Sequence, residues 1–401
     1  MKHIRVQLAF FVAVKAVLNT LYRMIYPFLP VIARGLGVDL RTMSYALSIR
    51  AAAGAMGPLA APLSDRKGRA FGMTLGLVLF TAGAAAAYFG SGFAIFVLAL
   101  VLTTVGKYVF DPAMQAHLGD VVPFARRGMA LALTEWGWSA AFILGVPAAG
   151  FLIVRFGWRS PFLVLAGLGA AAVAVLRIFF SGRGGSRPAA PRAEGRGAWG
   201  EFWGHIETYG VVFRSAAARL ALAVIFFGAM GNETVNVVFG VWLEDSFGLK
   251  IAALGAASAV IGLSELGGET LVAGTIDRLG RMRALLLGFG ANAVVSLLLP
   301  LSGRSTAAAL VSLFAFYLTF EFAVVSVIPL MCDILPEARA TLLAFYTAAF
   351  SLGRAAGAWI SPLLYRNGFP VVALAAVGLD ILALAGLLRL RALFRSTGRT
   401  P

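Results

Sequence analysis

The sequence is short of the residues on which soluble chemistry most often depends. One cysteine, Cys332, excludes an intramolecular disulfide and any cysteine-based metal cluster. The three histidines, His3, His117 and His205, stand far apart and match no ligand spacing, so no metal site is expected. Charged residues make up 13% of the chain, where a soluble domain carries about 25%. There is no Gly-x4-Gly-Lys-Ser/Thr loop, no His-Glu-x-x-His helix and no nucleophile elbow. These absences argue against ATP hydrolysis within the chain and against an enzyme, and they imply no cofactor.

What the chain has in plenty is apolar surface. Apolar residues are 60% of it, against roughly 45–50% in soluble domains. That surplus calls for lipid as the solvent. A membrane helix takes roughly 20 apolar residues, and backbone in hydrocarbon must satisfy its own hydrogen bonds, which long runs do as helices. Apolar runs fall at about 7–32, 42–63, 71–90, 93–117, 128–153 and 160–180, and again at about 218–243, 251–274, 282–302, 306–332, 340–363 and 370–390. The start, Met-Lys-His-Ile-Arg before an apolar run, resembles a signal peptide. Lys15, Asn19 and Arg23 interrupt that run, however, and it passes Pro30 without a small-residue cleavage site, so it reads as a retained first span.

The formal charge of +16 does not point to nucleic acid, because the cations sit in short loops between apolar runs. With the N-terminus in the cytoplasm, the outside loops hold Arg34, Arg41, Arg155, Arg159, Lys250, Arg304 and Arg366, and inside cations outnumber them about three to one. This bias predicts cytoplasmic termini and residence in the cytoplasmic (inner) membrane. Residues 181–196, rich in Gly, Pro, Ser, Arg and Ala, read as a linker. Beyond them Trp199, Phe202, Trp203, Ile206 and Tyr209 recur at helical spacing. They predict either an amphipathic helix in the membrane interface or an ordinary helix packed on the bundle.

The two halves repeat with an offset of about 212 residues. Ser64-Asp65-Arg66-Lys67-Gly68-Arg69 corresponds to Ile276-Asp277-Arg278-Leu279-Gly280-Arg281. Asp120-Val121-Val122-Pro123 corresponds to Asp333-Ile334-Leu335-Pro336, and Gly157-Trp158 to Gly368-Phe369. The repeat predicts an all-α membrane protein of two six-helix bundles, 1–180 and 218–392, joined by a cytoplasmic linker at 181–217 and followed by a tail at 393–401. In such duplicated architectures the substrate site lies near the bilayer midplane, where the repeats meet.

With these motifs the chain resembles the major facilitator superfamily, and within it the twelve-span drug and metabolite efflux antiporters. The strongest likeness is Ala61-Pro62-Leu63-Ser64-Asp65-Arg66-Lys67-Gly68-Arg69, similar to the family's signature loop except that Ala61 stands where a glycine is usual. Tyr26-Pro27-Phe28-Leu29-Pro30 resembles the proline pair closing the first span, and Gly145-Val146-Pro147-Ala148-Ala149-Gly150 resembles the antiporter motif of the fifth. Read physically, Arg66 or Arg69 can pair with Asp120. Asp277, Arg278, Gly280, Arg281 and Asp333 would repeat that clasp in the second half, and the two clasps would gate the cytoplasmic side. A plain positive-inside loop is the alternative. Pro147 should bend the fifth span or let it pack closely, with Gly262, Gly267 and Gly268 as candidate partners, although glycine is also simply common in membrane helices.

Charges within spans carry the most information, because each is costly in hydrocarbon. They are Lys15, Arg23, Arg50, Lys107, Asp111, Glu135, Glu233, Glu265, Glu269, Glu321 and Arg354. Lys107 and Asp111, four apart, can neutralise each other. Arg50 can snorkel outward, and Glu269 can be solvated at the cytoplasmic end. Glu233, with Asn232 and Asn236, suggests a polar pocket. Glu135, Glu265 and Glu321 lack a cationic neighbour on their own helices. They are candidate proton-coupling groups, since a carboxyl shielded from water holds a proton more readily, or else members of ion pairs with Lys15, Arg23 or Arg354. Asp111 and Glu233 complete the coupling candidates. Asn19, Trp138, Tyr317 and Tyr346 join the charged groups as candidate cavity residues. Most of the other aromatics, Phe10, Phe11, Tyr22, Phe226, Phe227, Phe320 and Phe350 among them, are expected to pack.

The expected function is secondary transport by alternating access, with proton-coupled export of a hydrophobic or amphiphilic small molecule. A lipid or lysolipid transporter, its headgroup held by Lys15, Arg23 and Arg50, is the alternative. A non-transporting scaffold or sensor is the reading from another class. The expected partners are a small-molecule or lipid substrate, protons and the bilayer, without nucleic acid, and the chain is expected to be a monomer.

Overall fold

The computed structural model describes residues 2–56, 68–181, 210–335 and 338–396. Among them the regular structure is helical, with no strand. Helices α1 (Lys2–Met24), α2 (Leu29–Leu36), α3 (Leu40–Gly54), α4 (Arg69–Phe89), α5 (Phe93–Val121), α6 (Phe124–Ala140), α7 (Val146–Phe156) and α8 (Ser160–Ser181) come from the first half of the sequence. Helices α9 (Ala216–Phe247), α10 (Ile251–Leu279), α11 (Arg281–Leu298), α12 (Thr306–Ile334), α13 (Arg339–Tyr365) and α14 (Phe369–Ser396) follow. Among the described residues, ten segments are long and apolar enough to cross a membrane. α3, whose sequence runs on into undescribed residues, and the 27-residue α13, which is more polar, stand where the second and eleventh spans are expected.

The repeat is visible in the backbone. Gly68 and Gly280 hold φ of 94° and 77°, and Gly157 and Gly368 hold 88° and 93°. Each lies immediately before a helix or within three residues of one, at matching places in the two halves, in a region that L-residues avoid. The signature-loop residues 57–67, Asp65 and Arg66 among them, and the tryptophan-rich segment expected to be amphipathic lie outside the described residues.

The chain divides into two compact units. The first joins residues 1–190 to 239–263, and the second joins 191–238 to 264–401. Thus α9 and α10 each contribute to both, and the turn between them belongs with the first.

In the first unit, α4 and α5 cross at Gly76 and Gly106. A Cβ on either would lie 2.6 Å from the other's carbonyl oxygen, so two side-chain-free residues set how closely the backbones approach. Two expected spans are not continuous helices. The first breaks at residues 25–28, before Pro30 enters α2, because proline cannot donate the helical bond. The fifth changes pitch through a π-helical turn, Ala141–Gly145, directly before Pro147 in the first turn of α7. Gly145 packs on Thr20, Gly150 on Phe28, and Gly262 of α10 on Ser139 and Phe142. Gly255 of α10 approaches Pro147, where a Cβ would come within 3.3 Å of the proline Cα. Gly240 likewise sits on the backbone of Pro27.

The second unit has its own core, in which Ile225, Leu285, Phe289, Met331, Leu342 and Leu387 are buried. Glycines again set the crossings. Gly353 and Gly357 of α13 lie against the Phe226 and Met230 carbonyls of α9, and Gly268 of α10 lies against Leu318 and Glu321 of α12. Gly267 touches only Leu318.

Candidate functional site

Each unit carries its own polar cluster, two ion pairs in the first and one in the second. In the first unit the 23-residue α1 brings Lys15, Asn19 and Arg23 to one face at a spacing of four. α6 meets that face closely because Gly137 leaves room for the Lys15 side chain. Lys15 Nζ lies 2.8 Å from Glu135 Oε2, and Gln115 reaches the other Glu135 oxygen at 3.5 Å. Lys107 Nζ donates to Asp111 Oδ2 at 2.6 Å, one helical turn along α5. Asp111 also lies within electrostatic reach of Lys15, and Lys107 of Glu135, so the four groups form one alternating network.

Above it stand two arginines wrapped in aromatic rings. Arg23 donates to the Trp138 carbonyl at 3.3 Å, and its guanidinium lies 4.1 Å from the Trp138 ring and 3.6 Å from the Phe142 ring. Arg50 does not snorkel, contrary to expectation. It is 1% exposed and donates to the Tyr22 carbonyl at 2.8 Å and the Tyr26 hydroxyl at 2.7 Å. A carbonyl, a hydroxyl and the Tyr22 ring face hold its charge inside the protein, although its Nε is buried without a partner. Asn19 is fully buried, and neither its Oδ1 nor its Nδ2 has a hydrogen-bond partner. Glu135 departs from the expectation of a desolvated acid, because its side chain is 49% exposed.

In the second unit the pair is buried on both sides. Arg354 Nε lies 2.8 Å from Glu233 Oε2, with side chains 10% and 1% exposed. Asn236 donates to the same carboxylate oxygen at 3.1 Å, and Tyr317 donates to Asn236 Oδ1 at 2.9 Å. This polar chain links α9, α12 and α13. Asn232, also on α9, is buried with its amide nitrogen unpartnered. Glu265 is buried on α10. Glu321 of α12 lies within electrostatic reach of Tyr346, whose ring stacks on Phe350 at 6.4 Å. Glu269, one turn after Glu265, is partly exposed.

The arginine-rich ends of the two units carry equivalent contacts. Arg69 Nε lies 3.4 Å from Asp120 Oδ2, and Arg281 forms an ion pair with Asp333. Asp277, Arg278, Gly280 and Arg281 share a cavity of about 400 Å³ with Arg283, Arg391 and Arg395.

Sequence reasoning missed three groups. Asp380 is a buried acid in α14, opposite Ser296 and one turn from the level of Asn292 on α11. Its signal was a single acid within the apolar run 370–390.

The sequence pattern of the Major Facilitator Superfamily matches residues 12–358 and, a second time, 221–400. The chain belongs to this superfamily. It is therefore a multi-pass integral membrane protein and a secondary transporter, not an enzyme. The superfamily's duplicated helical architecture accounts for the paired glycines and clasps above. Among relatives, the MFS-type transporter YwfA of Bacillus subtilis is 26% identical over 89% of this chain and 85% of its own length. Multidrug resistance protein 2 of the same organism is 23% identical over 73% of this chain and 72% of its own. The inner membrane transport protein YdhP of Escherichia coli is 32% identical over 40% of this chain and 42% of its own. A crystallised POT family transporter in complex with a thioalcohol-conjugated peptide shares the fold with a TM-score of 0.77 at 14% identity, covering 98% of this chain and 96% of that one. Another, in complex with 5-aminolevulinic acid, also has a TM-score of 0.77, at 16% identity over 96% of each chain.

Proposed function

We propose that this transporter exports a hydrophobic or amphiphilic small molecule in exchange for protons across the cytoplasmic membrane, with its arginine-rich ends in the cytoplasm. One observation carries the reading. The second unit brings acids into the body of its helices: Glu265 is buried on α10, Glu321 of α12 lies within electrostatic reach of Tyr346, and Glu233 is held by Arg354. A carboxyl shielded from water holds a proton more readily. A proton and the cationic end of an amphiphile can occupy such an acid in turn, and competition between them for the same acid is exchange. Glu265 and Glu321 are the first choice for that role. The stacked Tyr346 and Phe350 give an apolar wall beside Glu321.

In the first unit Glu135 is the acid best placed to trade protons with water, being half exposed beside a buried lysine. The likeness to a relative named for multidrug resistance supports export. The Arg69–Asp120 and Arg281–Asp333 contacts act as clasps that break as access alternates. Lipid transport draws less support, because Arg50, Arg23 and Lys15 are each engaged by protein groups that a headgroup would have to displace.

The test is proton movement in liposomes that hold the full chain and a pH-sensitive dye, driven by a panel of amphiphilic dyes including ethidium. Wild type should move protons opposite to the dye. Glu265→Gln and Glu321→Gln should lose that movement, and Glu135→Gln should reduce it. Normal coupling in all three variants, or dye movement that follows sodium without protons, would overturn the proposal.

A further inference from the structure

One buried acid belongs to none of the pairs described above. Asp380 lies in the middle part of α14 and is 2% exposed. Its Oδ2 has no hydrogen-bond partner, and among the described residues no cation stands within ion-pair distance of it. The Ser296 side chain of α11 lies beside the carboxyl. Ser296 Oγ and Asn292 Oδ1, one turn apart on the same helix face, are also buried and have no partner. Asp380 and Ser296 thus sit beside each other, with Asn292 one turn along α11, and Asp380 Oδ2, Ser296 Oγ and Asn292 Oδ1 are each buried without a hydrogen-bond partner, which native interiors avoid unless something fills the place.

The surroundings supply no counter-charge. α9 packs on α14 where Gly231 meets Leu379 and Ala376. The charge nearest in its sequence, Glu233, is negative and already held by Arg354 of α13. On α11 the charges are Arg281 and Arg283, at the far end of that helix from Ser296, and Arg281 is bound to Asp333. Arg304 closes the 3-10 turn after α11, and Arg366 follows the end of α13.

We propose that Asp380, Ser296 and Asn292 form a proton-binding site inside the second unit, on different helices from Glu265 and Glu321. A proton bonds to Asp380 Oδ2, and the neutral acid then donates to the Ser296 hydroxyl. No other bond changes. The site removes the net charge from the buried carboxyl and uses an acceptor that otherwise stands empty. It does not depend on the exported molecule and can be tested without one.

The experiment is infrared difference spectroscopy of the full chain in liposomes, titrated from acid to alkaline pH without substrate. Wild type should show the carbonyl stretch of a protonated carboxylic acid at neutral pH. Asp380→Asn should lose that band, and Ser296→Ala should move it to higher wavenumber as a hydrogen bond is removed. An unchanged spectrum in Asp380→Asn would overturn the assignment. If that variant does not fold, Ser296→Ala decides, and an unmoved band counts against the site. Replacing choline chloride with sodium chloride should leave the band in place. Its disappearance would assign the oxygens to an alkali cation and refute the proton.

Discussion

Lys15–Glu135 in the first unit and Arg354–Glu233 in the second are joined at the same 2.8 Å. Equal length does not make them equal interactions. Glu135 is 49% exposed, whereas Glu233 is 1% exposed and carries a second hydrogen bond from Asn236. In the first pair one partner is half exposed, so loss of the other confines its charge less. In the second, desolvation is nearly complete, and neither partner tolerates the loss of the other. The first unit therefore holds a pair with one open side, and the second a buried polar strut between α9 and α13.

The largest effect should come from breaking the strut. Arg354→Met leaves Glu233 buried and unneutralised, and should lower stability by about 3–5 kcal/mol. Adding Glu233→Gln should restore most of that loss in thermal unfolding of the detergent-purified protein. A double variant as unstable as the single one would show that charge is not the cause.

Next come the helix crossings. Gly106→Val in the first unit and Gly357→Val in the second each place side-chain atoms against backbone, and should each cost about 1–3 kcal/mol. If only one does, the two bundles are not packed alike, and the same unfolding measurement decides it.

Lys15→Met should be milder, at about 1 kcal/mol or less, because water can take over the charge of Glu135. A loss equal to that of Arg354→Met would erase the contrast between the pairs. The smallest change should follow Asp120→Asn, since Asp120 is 63% exposed and its contact with Arg69 is long. Its stability effect should lie within about 1 kcal/mol, and proton-coupled dye movement should report it more clearly than melting.

Much of the architecture could be read before any coordinates. The spans 71–90, 93–117 and 306–332 each appear as a helix within a few residues of the apolar run. The repeated Asp and Arg residues likewise mark where Arg69 meets Asp120 and Arg281 meets Asp333. The prolines marked where the first and fifth spans depart from a continuous helix, but not that the chain breaks over residues 25–28 or takes a π-helical turn before Pro147, because hydropathy is blind to backbone pitch. The partner of each internal charge was hidden for another reason. Arg354 and Glu233 are 121 residues apart, and Arg50 and Tyr22 are 28 apart. Whether such groups meet depends on how each helix is rotated about its axis. Asp380 escaped notice because one acid barely alters the mean polarity of a run as apolar as 370–390.

The sequence by itself determined that the chain is helical, membrane-embedded and duplicated, because in hydrocarbon each segment must close its own hydrogen bonds and every apolar run settles that locally. Only the tertiary structure decided which charges meet, which of them keep water, and that Arg50 turns inward to Tyr22 and Tyr26. Close crossings without side chains, at Gly137 beside Lys15 and at Gly357 beside Glu233, set how the helices that carry the two ion pairs face each other, and no single segment contains that information.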